Sequence, residues 1–280
     1  MTAVHMTNIK AETPKLLYGT AWKKEKTAEL VEKALKLGFR GIDTACQPRH
    51  YNEASVGAAL KRVASEGLER DKIFVQTKFT PVEGQDPHNI PYDKNAPLET
   101  QVFQSFEQSK INLQTNYIDS YILHSPLFPF QNLLKVWNSM EKLVHQGEVK
   151  QLGISNCYDL TTLKRLYEAS EIKPAVLQNR FYKDTDYDVE LRNFCNANNI
   201  QYQSFWSLSA NPHLLESEPV IRAAMKHGVE AAQILYAFLI SENIVPLDGT
   251  TSEQHMIDDL KVSELSLSAK ELELIKQLLD

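Results

Sequence analysis

Eight short runs rich in β-branched and aromatic residues alternate with longer amphipathic stretches along 280 residues, which predicts an α/β protein, a (β/α)8 TIM barrel. No Pro/Ser/Gly-rich linker, repeat or low-complexity block divides the chain, so residues 1–280 read as a single domain. Among the ten glycines no two are separated by one residue, so the G-x-G-x-x-G turn of a doubly wound open sheet is missing.

The strands are predicted over residues 16–19, 40–43, 73–78, 120–124, 151–155, 175–178, 201–205 and 244–247. Each is a short run rich in apolar residues, and the second to sixth end in polar residues. Between them, residues 27–37, 53–66, 98–112, 133–146, 160–170 and 189–198 repeat apolar side chains every three or four positions, as a helix with one buried face must. Residues 218–226 and 230–242 fill the last gap with two more helices, and 268–279 forms a terminal one. The segment 79–97 contains Pro81, Pro87, Pro91 and Pro97 and is long for a connection after a strand; it is expected to cover a site or to wander.

Charge and cysteine content narrow the function classes. A formal charge of −6 with no Lys/Arg block gives no field for a phosphate backbone, so no nucleic-acid partner is expected. The segment 1–15 lacks the apolar core of a leader, and no run approaches the roughly 18 residues of a membrane span. Three cysteines, Cys46, Cys157 and Cys195, are the wrong arithmetic for a disulfide framework and fit a reducing cytoplasm. Cys46 lies beside Asp43 and reads more readily as a small buried thiol than as a redox site. G-x-S-x-G, G-K-[ST] and H-E-x-x-H are all missing, so hydrolase, P-loop and zinc chemistry lack support and no metal is expected.

In a barrel of this class the chemistry sits at the C-terminal ends of the strands. There the sequence offers Asp43 on the second strand, Lys78 on the third, His124 on the fourth, Ser155 and Asn156 on the fifth, and Gln178 and Asn179 on the sixth. An Asp and a Lys are each costly to bury alone, whereas together they neutralise each other.

From about Leu17 to about Leu260 the chain resembles the aldo-keto reductases. The resemblance rests on residues 38–45 (GFRGIDTA), Asn52-Glu53, Val56-Gly57, Thr77-Lys78, residues 121–124 (YILH), Gly147, residues 152–156 (LGISN) and Gln178-Asn179, in that order. It implies a catalytic tetrad of Asp43, Tyr51, Lys78 and His124. The tyrosine falls in an expanded loop, residues 46–50 (CQPRH), in which His50 occupies the slot usually two residues before Asn-Glu. Tyr51 is assigned as the only phenol there, with Pro48 helping to bend the chain.

The implied reaction is NADPH-dependent reduction of an aldehyde or ketone, NADH being possible, with a small carbonyl molecule as partner. Tyr51 would donate the proton, Lys78 would ease its release, Asp43 would hold Lys78 in place and protonated, and a neutral His124 would orient the carbonyl. The implied cofactor contacts are Ser155, Asn156 and Gln178 on the carboxamide and Phe205 or Trp206 against the nicotinamide ring. Ser207 and Leu208, with Gly249, Thr250 and Thr251, would line the phosphate loops, and Gly19, Thr20, Asp43 and Asp259 complete the set.

Two departures from the family pattern stand out. Gly249 and His255 occupy positions where many members carry Lys and Arg. Preference for NADPH is therefore expected to be weak, to grow as pH falls and His255 charges, and to strengthen in His255→Arg. No long tail follows the terminal helix, so the pocket is expected to be open. The rival function is a cofactor-binding sensor or regulatory subunit with little turnover. A monomer or weak oligomer in the cytoplasm completes the expectation.

Overall fold

The computed structural model describes residues 12–279, so most of the segment 1–15 lies outside the described residues. Eight strands close into one barrel in chain order, every neighbouring pair parallel. They are β1 Leu17–Gly19, β2 Gly41–Asp43, β3 Phe74–Phe79, β4 Ile118–Leu123, β5 Val149–Ser155, β6 Val176–Arg180, β7 Gln201–Phe205 and β8 Ile244–Asp248.

The predicted helices appear as α1 Thr27–Leu37, α2 Glu53–Ser65, α3 Leu98–Leu113, α4 Phe130–His145, α5 Leu160–Ala169 and α6 Val189–Ala197. After β7 come a short α7, Pro212–Leu215, then α8 Glu218–His227 and α9 Ala231–Ser241; α10 Glu253–Leu260 and α11 Ala269–Lys276 follow β8. Local chemistry sets several ends. Asn52, Asp159 and Ser252 accept backbone N–H bonds at the starts of α2, α5 and α10. Gly38 closes α1 at φ 130°, where a β-carbon would be strained, and its N–H satisfies the Ala34 and Leu35 carbonyls.

The main core lies between the outer faces of the strands and the inner faces of the helices, with Trp137, Phe106, Tyr121 and Phe238 fully buried in it. Gly57 permits the closest helix approach. A β-carbon there would lie 2.0 Å from the Asn112 carbonyl oxygen and 2.8 Å from Leu113 Cα, both backbone atoms of α3. Gly57→Ala is therefore expected to cost about 1–3 kcal/mol, read as a lower denaturation midpoint; an unchanged midpoint would show that α2 and α3 separate freely.

The barrel interior is layered. Leu17, Phe74 and Val245, with Leu247 against them, form a small apolar cluster separate from the main core. In the same interior sits a buried amide group. Gln76 Nε2 donates to Gln203 Oε1 (2.7 Å), Gln203 Nε2 returns a bond to Gln76 Oε1 (3.2 Å), and Gln178 Nε2 donates to Gln203 Oε1 (3.0 Å). Gln76 and Gln178 also each donate to Asp43 Oδ1, at 2.7 and 2.9 Å.

The segment after β3 does not wander. Tyr92 OH and Gln85 Nε2 donate to the Thr80 carbonyl (2.7 and 3.2 Å), Gln85 Nε2 also to the Cys46 carbonyl (3.0 Å), and Gln47 Nε2 to the Gly84 carbonyl (2.7 Å). These bonds pin it against the loop after β2. All three cysteines are buried free thiols, and burial pushes the Cys46 thiol far above its ordinary value. Among the described residues no helix is long and apolar enough to cross a membrane, and no cluster of metal-ligating residues occurs.

Candidate active site

Asp43, the last residue of β2, and Lys78 on β3 meet inside the barrel, the ammonium 2.7 Å from Asp43 Oδ2 and donating to the Thr44 carbonyl at 2.8 Å. Both are buried. Burial pulls the Lys78 ammonium below its ordinary value, against the upward pull of Asp43 and the buried Glu53. Burial prevails even for a paired lysine, because the ammonium has lost its water on every side. Asp43 Oδ2 accepts from Lys78 and Oδ1 from Gln76 and Gln178, so the carboxylate holds the lysine in place.

The expanded loop turns sharply where Pro48 stands: the His50 and Tyr51 N–H groups both donate to the Gln47 carbonyl, at 3.2 and 3.0 Å. The turn sends the two rings in different directions. His50 stacks on Trp22, ring centroids 3.9 Å apart, whereas Tyr51 goes to the lysine, its ring centroid 5.2 Å from Lys78 Nζ. Tyr51 also packs edge-on against His124 at 6.0 Å. Tyr51, Lys78, Asp43 and His124 thus gather at one mouth, with His50 stacked on Trp22 but close enough to His124 for its charge to act on that ring.

Burial and the nearby Asp43 charge push the Tyr51 phenol well above its ordinary value. The resting phenol is therefore protonated. Burial and the Lys78 charge hold His124 well below its ordinary value, so the imidazole is neutral. Its Nδ1 lies 2.6 Å from Thr80 Oγ1, within the pinned segment.

The remaining predicted positions divide. Ser155 Oγ donates to the Gln178 carbonyl (2.7 Å) and Asn156 Nδ2 to the His124 carbonyl (2.8 Å), so β4, β5 and β6 are tied together at the mouth. Phe205 is half-buried at the end of β7, and the following Trp206, at φ 55°, is 47% exposed, so Trp206 is not a core residue. Ser207 Oγ donates to Ser204 Oγ (2.8 Å), and Leu208 packs against the core. Gly249 and Thr251 are exposed, as is His255, whose Nδ1 is 3.5 Å from Thr250 Oγ1.

Three positions differ from expectation. Asn179 faces out of the barrel, bonded to Cys157 and to Asp188 Oδ2 (2.7 Å), because Gln178 points inward and successive strand residues alternate. Thr20 is buried, and its N–H and hydroxyl both donate to the Asp43 carbonyl, so it braces β2. Asp259 is buried against α9, accepting from Gln233 Nε2 (2.6 Å), rather than lining the loop surface. At Gly19 a β-carbon would lie 3.5 Å from the Asp248 carbonyl, ordinary contact, so space does not demand glycine there.

One cation was not anticipated. Lys23, in the loop after β1, is buried; its Nζ donates to the Gly249 carbonyl (2.8 Å) and lies over the Tyr18 ring at 4.8 Å. Burial lowers it to about 8 against the pull of Asp248, whose own carboxyl is raised to about 7 by burial and by Asp259. It is 226 residues from Gly249 in sequence, a separation that no local motif spans.

The aldo/keto reductase family model matches residues 15–218. The chain is 29% identical to the glyoxal reductase of Bacillus subtilis over 251 residues, covering 89% of this chain and 82% of that one. It is 27% identical to the methylglyoxal reductase DkgA of Escherichia coli O157:H7 over 249 residues, with the same coverage of both. Among solved structures, MGS-M4, an aldo-keto reductase from a Medee basin deep-sea metagenome library, superposes with a TM-score of 0.81 at 27% identity, covering 95% of this chain and 92% of that one. The tetrad geometry, the closed barrel and these similarities agree: the chain belongs to the aldo/keto reductase family.

Proposed function

We propose that the protein is an NADPH-dependent reductase of small aldehydes or ketones, with Tyr51 as proton donor. The observation that carries the reading is the convergence of a protonated Tyr51, a neutral His124 and the Lys78–Asp43 pair at one barrel mouth. A bound nicotinamide dinucleotide supplies a hydride to the carbonyl carbon, and no side chain can replace it.

The residues present fit such a cofactor. Half-buried Phe205 stands on β7 two residues beyond Gln203, the register partner of the inward Gln178, and these would hold the nicotinamide, while Gly249 opens onto free space beside the Lys23 ammonium for a phosphate. As negative charge grows on the substrate oxygen, Tyr51 gives its proton to that oxygen and the Lys78 ammonium stabilises the phenolate left behind. In the tautomer in which the Thr80 hydroxyl donates to Nδ1, neutral His124 carries its proton on Nε2 and donates a hydrogen bond to the same oxygen. The three buried thiols suit a reducing cytoplasm, and a monomer or weak oligomer is sufficient because one barrel carries the whole site.

Loss of nicotinamide absorbance with a panel of aldehydes and ketones that includes glyoxal and methylglyoxal tests the reading. Cofactor binding without turnover on any of them would favour a regulatory protein.

Lys23 supplies charge at the phosphate loop where Gly249 and His255 supply little. Below about pH 7 Asp248 is neutral and Lys23 charged; above about pH 8 the two states reverse. Affinity for NADPH is therefore expected to fall as pH rises from about 6.5 to about 8.5. Lys23→Met should flatten that profile, and His255→Arg should restore affinity at high pH. Dissociation constants across the range are the check, and a flat profile in the unmodified protein would exclude Lys23.

A further inference from the structure

We propose that Thr80 is a positioning residue for the reduction, fixing the ring of His124 and the nitrogen that carries its proton; this deepens the carbonyl-reductase reading above and rests on it. The two residues are neighbours by register. Phe79 pairs with Leu123, and the His124 N–H donates to the Phe79 carbonyl (2.9 Å), so Thr80 and His124 continue the β3–β4 pairing one step past the strands. Thr80 Oγ1 lies 2.6 Å from His124 Nδ1. The His124 backbone is held from the other side too, its carbonyl accepting from Asn156 Nδ2 (2.8 Å). Only rotation of the ring is left to the histidine, and the Thr80 hydroxyl takes one of its two nitrogens.

Thr80 is itself locked. It is 2% exposed, and its carbonyl accepts from Tyr92 OH and Gln85 Nε2. A β-branched side chain has few χ1 choices, and here the methyl points at Gly84. A β-carbon on Gly84 would stand 2.8 Å from Thr80 Cγ2, and the Gly84 carbonyl is anchored by Gln47 Nε2. With Cγ2 against Gly84, Oγ1 is directed to the imidazole. Gly84, Gln85 and Tyr92, all in the proline-rich segment after β3, thus hold one hydroxyl against His124.

Counting hydrogens selects the direction of the bond. A neutral imidazole has one N–H and one ring nitrogen that accepts. If Nδ1 donated to Oγ1, the hydroxyl hydrogen of a nearly sealed threonine would go without an acceptor, since among the described residues Oγ1 has no second partner. With Oγ1 donating, the hydroxyl hydrogen and the Nδ1 lone pair are both satisfied. The ring proton then sits on Nε2, the nitrogen to which the described residues supply no partner, and it is free to face the substrate oxygen. Thr80 exchanges no proton in the reaction.

The test is nitrogen NMR of the histidine rings in the full chain, with His124 identified by the signals missing from His124→Gln, together with kinetics of Thr80→Val and Thr80→Ser. In the unmodified protein Nδ1 must report as a hydrogen-bonded acceptor and Nε2 as the protonated nitrogen; a protonated Nδ1 overturns the proposal whatever the activity. Thr80→Val keeps the shape and the methyl and loses the hydroxyl. It should shift the Nδ1 signal and lower kcat about 10-fold with the Kd for NADPH unchanged, and Thr80→Ser should recover most of both. Unchanged nitrogen signals in Thr80→Val, or equal losses in the Val and Ser variants, would reduce Thr80 to packing and overturn the proposal. Gly84→Ala, which presses on the Thr80 methyl, should also lower kcat, and by less in the Thr80→Ser background, where that methyl is gone; additive losses would overturn the lock. If the unmodified protein reduces no carbonyl compound, the function reading itself fails, a separate result that the nitrogen signals distinguish from failure of the Thr80 contact.

Discussion

Tyr51→Phe is expected to lower kcat by roughly 10² to 10⁴, the usual contribution of a positioned general acid, with the Kd for NADPH nearly unchanged. The ring still fills its place beside Lys78 and against His124, and only the hydroxyl is lost. Because burial holds the phenol far above its ordinary value, the unmodified enzyme should keep Tyr51 protonated throughout the neutral range. Single-turnover rates with saturating NADPH separate the chemical step from binding. Wild-type turnover in Tyr51→Phe would transfer the donor role elsewhere, first to His50, which the turn at Pro48 directs to Trp22.

Lys78→Met should be comparably damaging. It deletes the cation that stabilises the phenolate and leaves the Asp43 carboxylate with only the Gln76 and Gln178 amides. Breaking a buried pair from one side typically costs about 3–5 kcal/mol, so the melting temperature should fall along with kcat. Asp43→Asn is expected to be milder at acid pH, because Lys78 keeps its bond to the Thr44 carbonyl. Its activity should then decline as pH rises. Burial already lowers Lys78, Asp43 is the leading opposing influence, and without that charge the ammonium loses its proton at a lower pH. Identical pH–rate profiles for Asp43→Asn and the unmodified enzyme would contradict this division of roles.

The barrel, its strand order and the tetrad were legible in the sequence because each depends on local pattern: apolar runs of strand length, helical spacing, and polar residues where a strand reaches the rim. The resemblance implied a tyrosine, and Tyr51 was assigned to that role because only one residue in its loop carries a phenol. What the sequence concealed depends on direction and on distance. The sixth strand was expected to stop at Gln178, because Asn179 and Arg180 look like loop, yet the ladder with β7 continues through both. That early stop made Asn179 seem to share the rim, when alternation turns it outward. Lys23 reaches Gly249 only through closure of β1 on β8, which no window along the chain can reveal.

The layered interior also governs where protons come from. Leu17, Phe74 and Val245 form an apolar plug in the barrel, and the interlocked Gln76, Gln178 and Gln203 amides bond the Asp43 carboxylate without being able to ionise near neutral pH. Carboxamides hold their hydrogens, so this assembly conducts none to Asp43 or Lys78. With Tyr51 as the proposed donor, its proton would then be replaced through the same opening that admits substrate and releases alcohol.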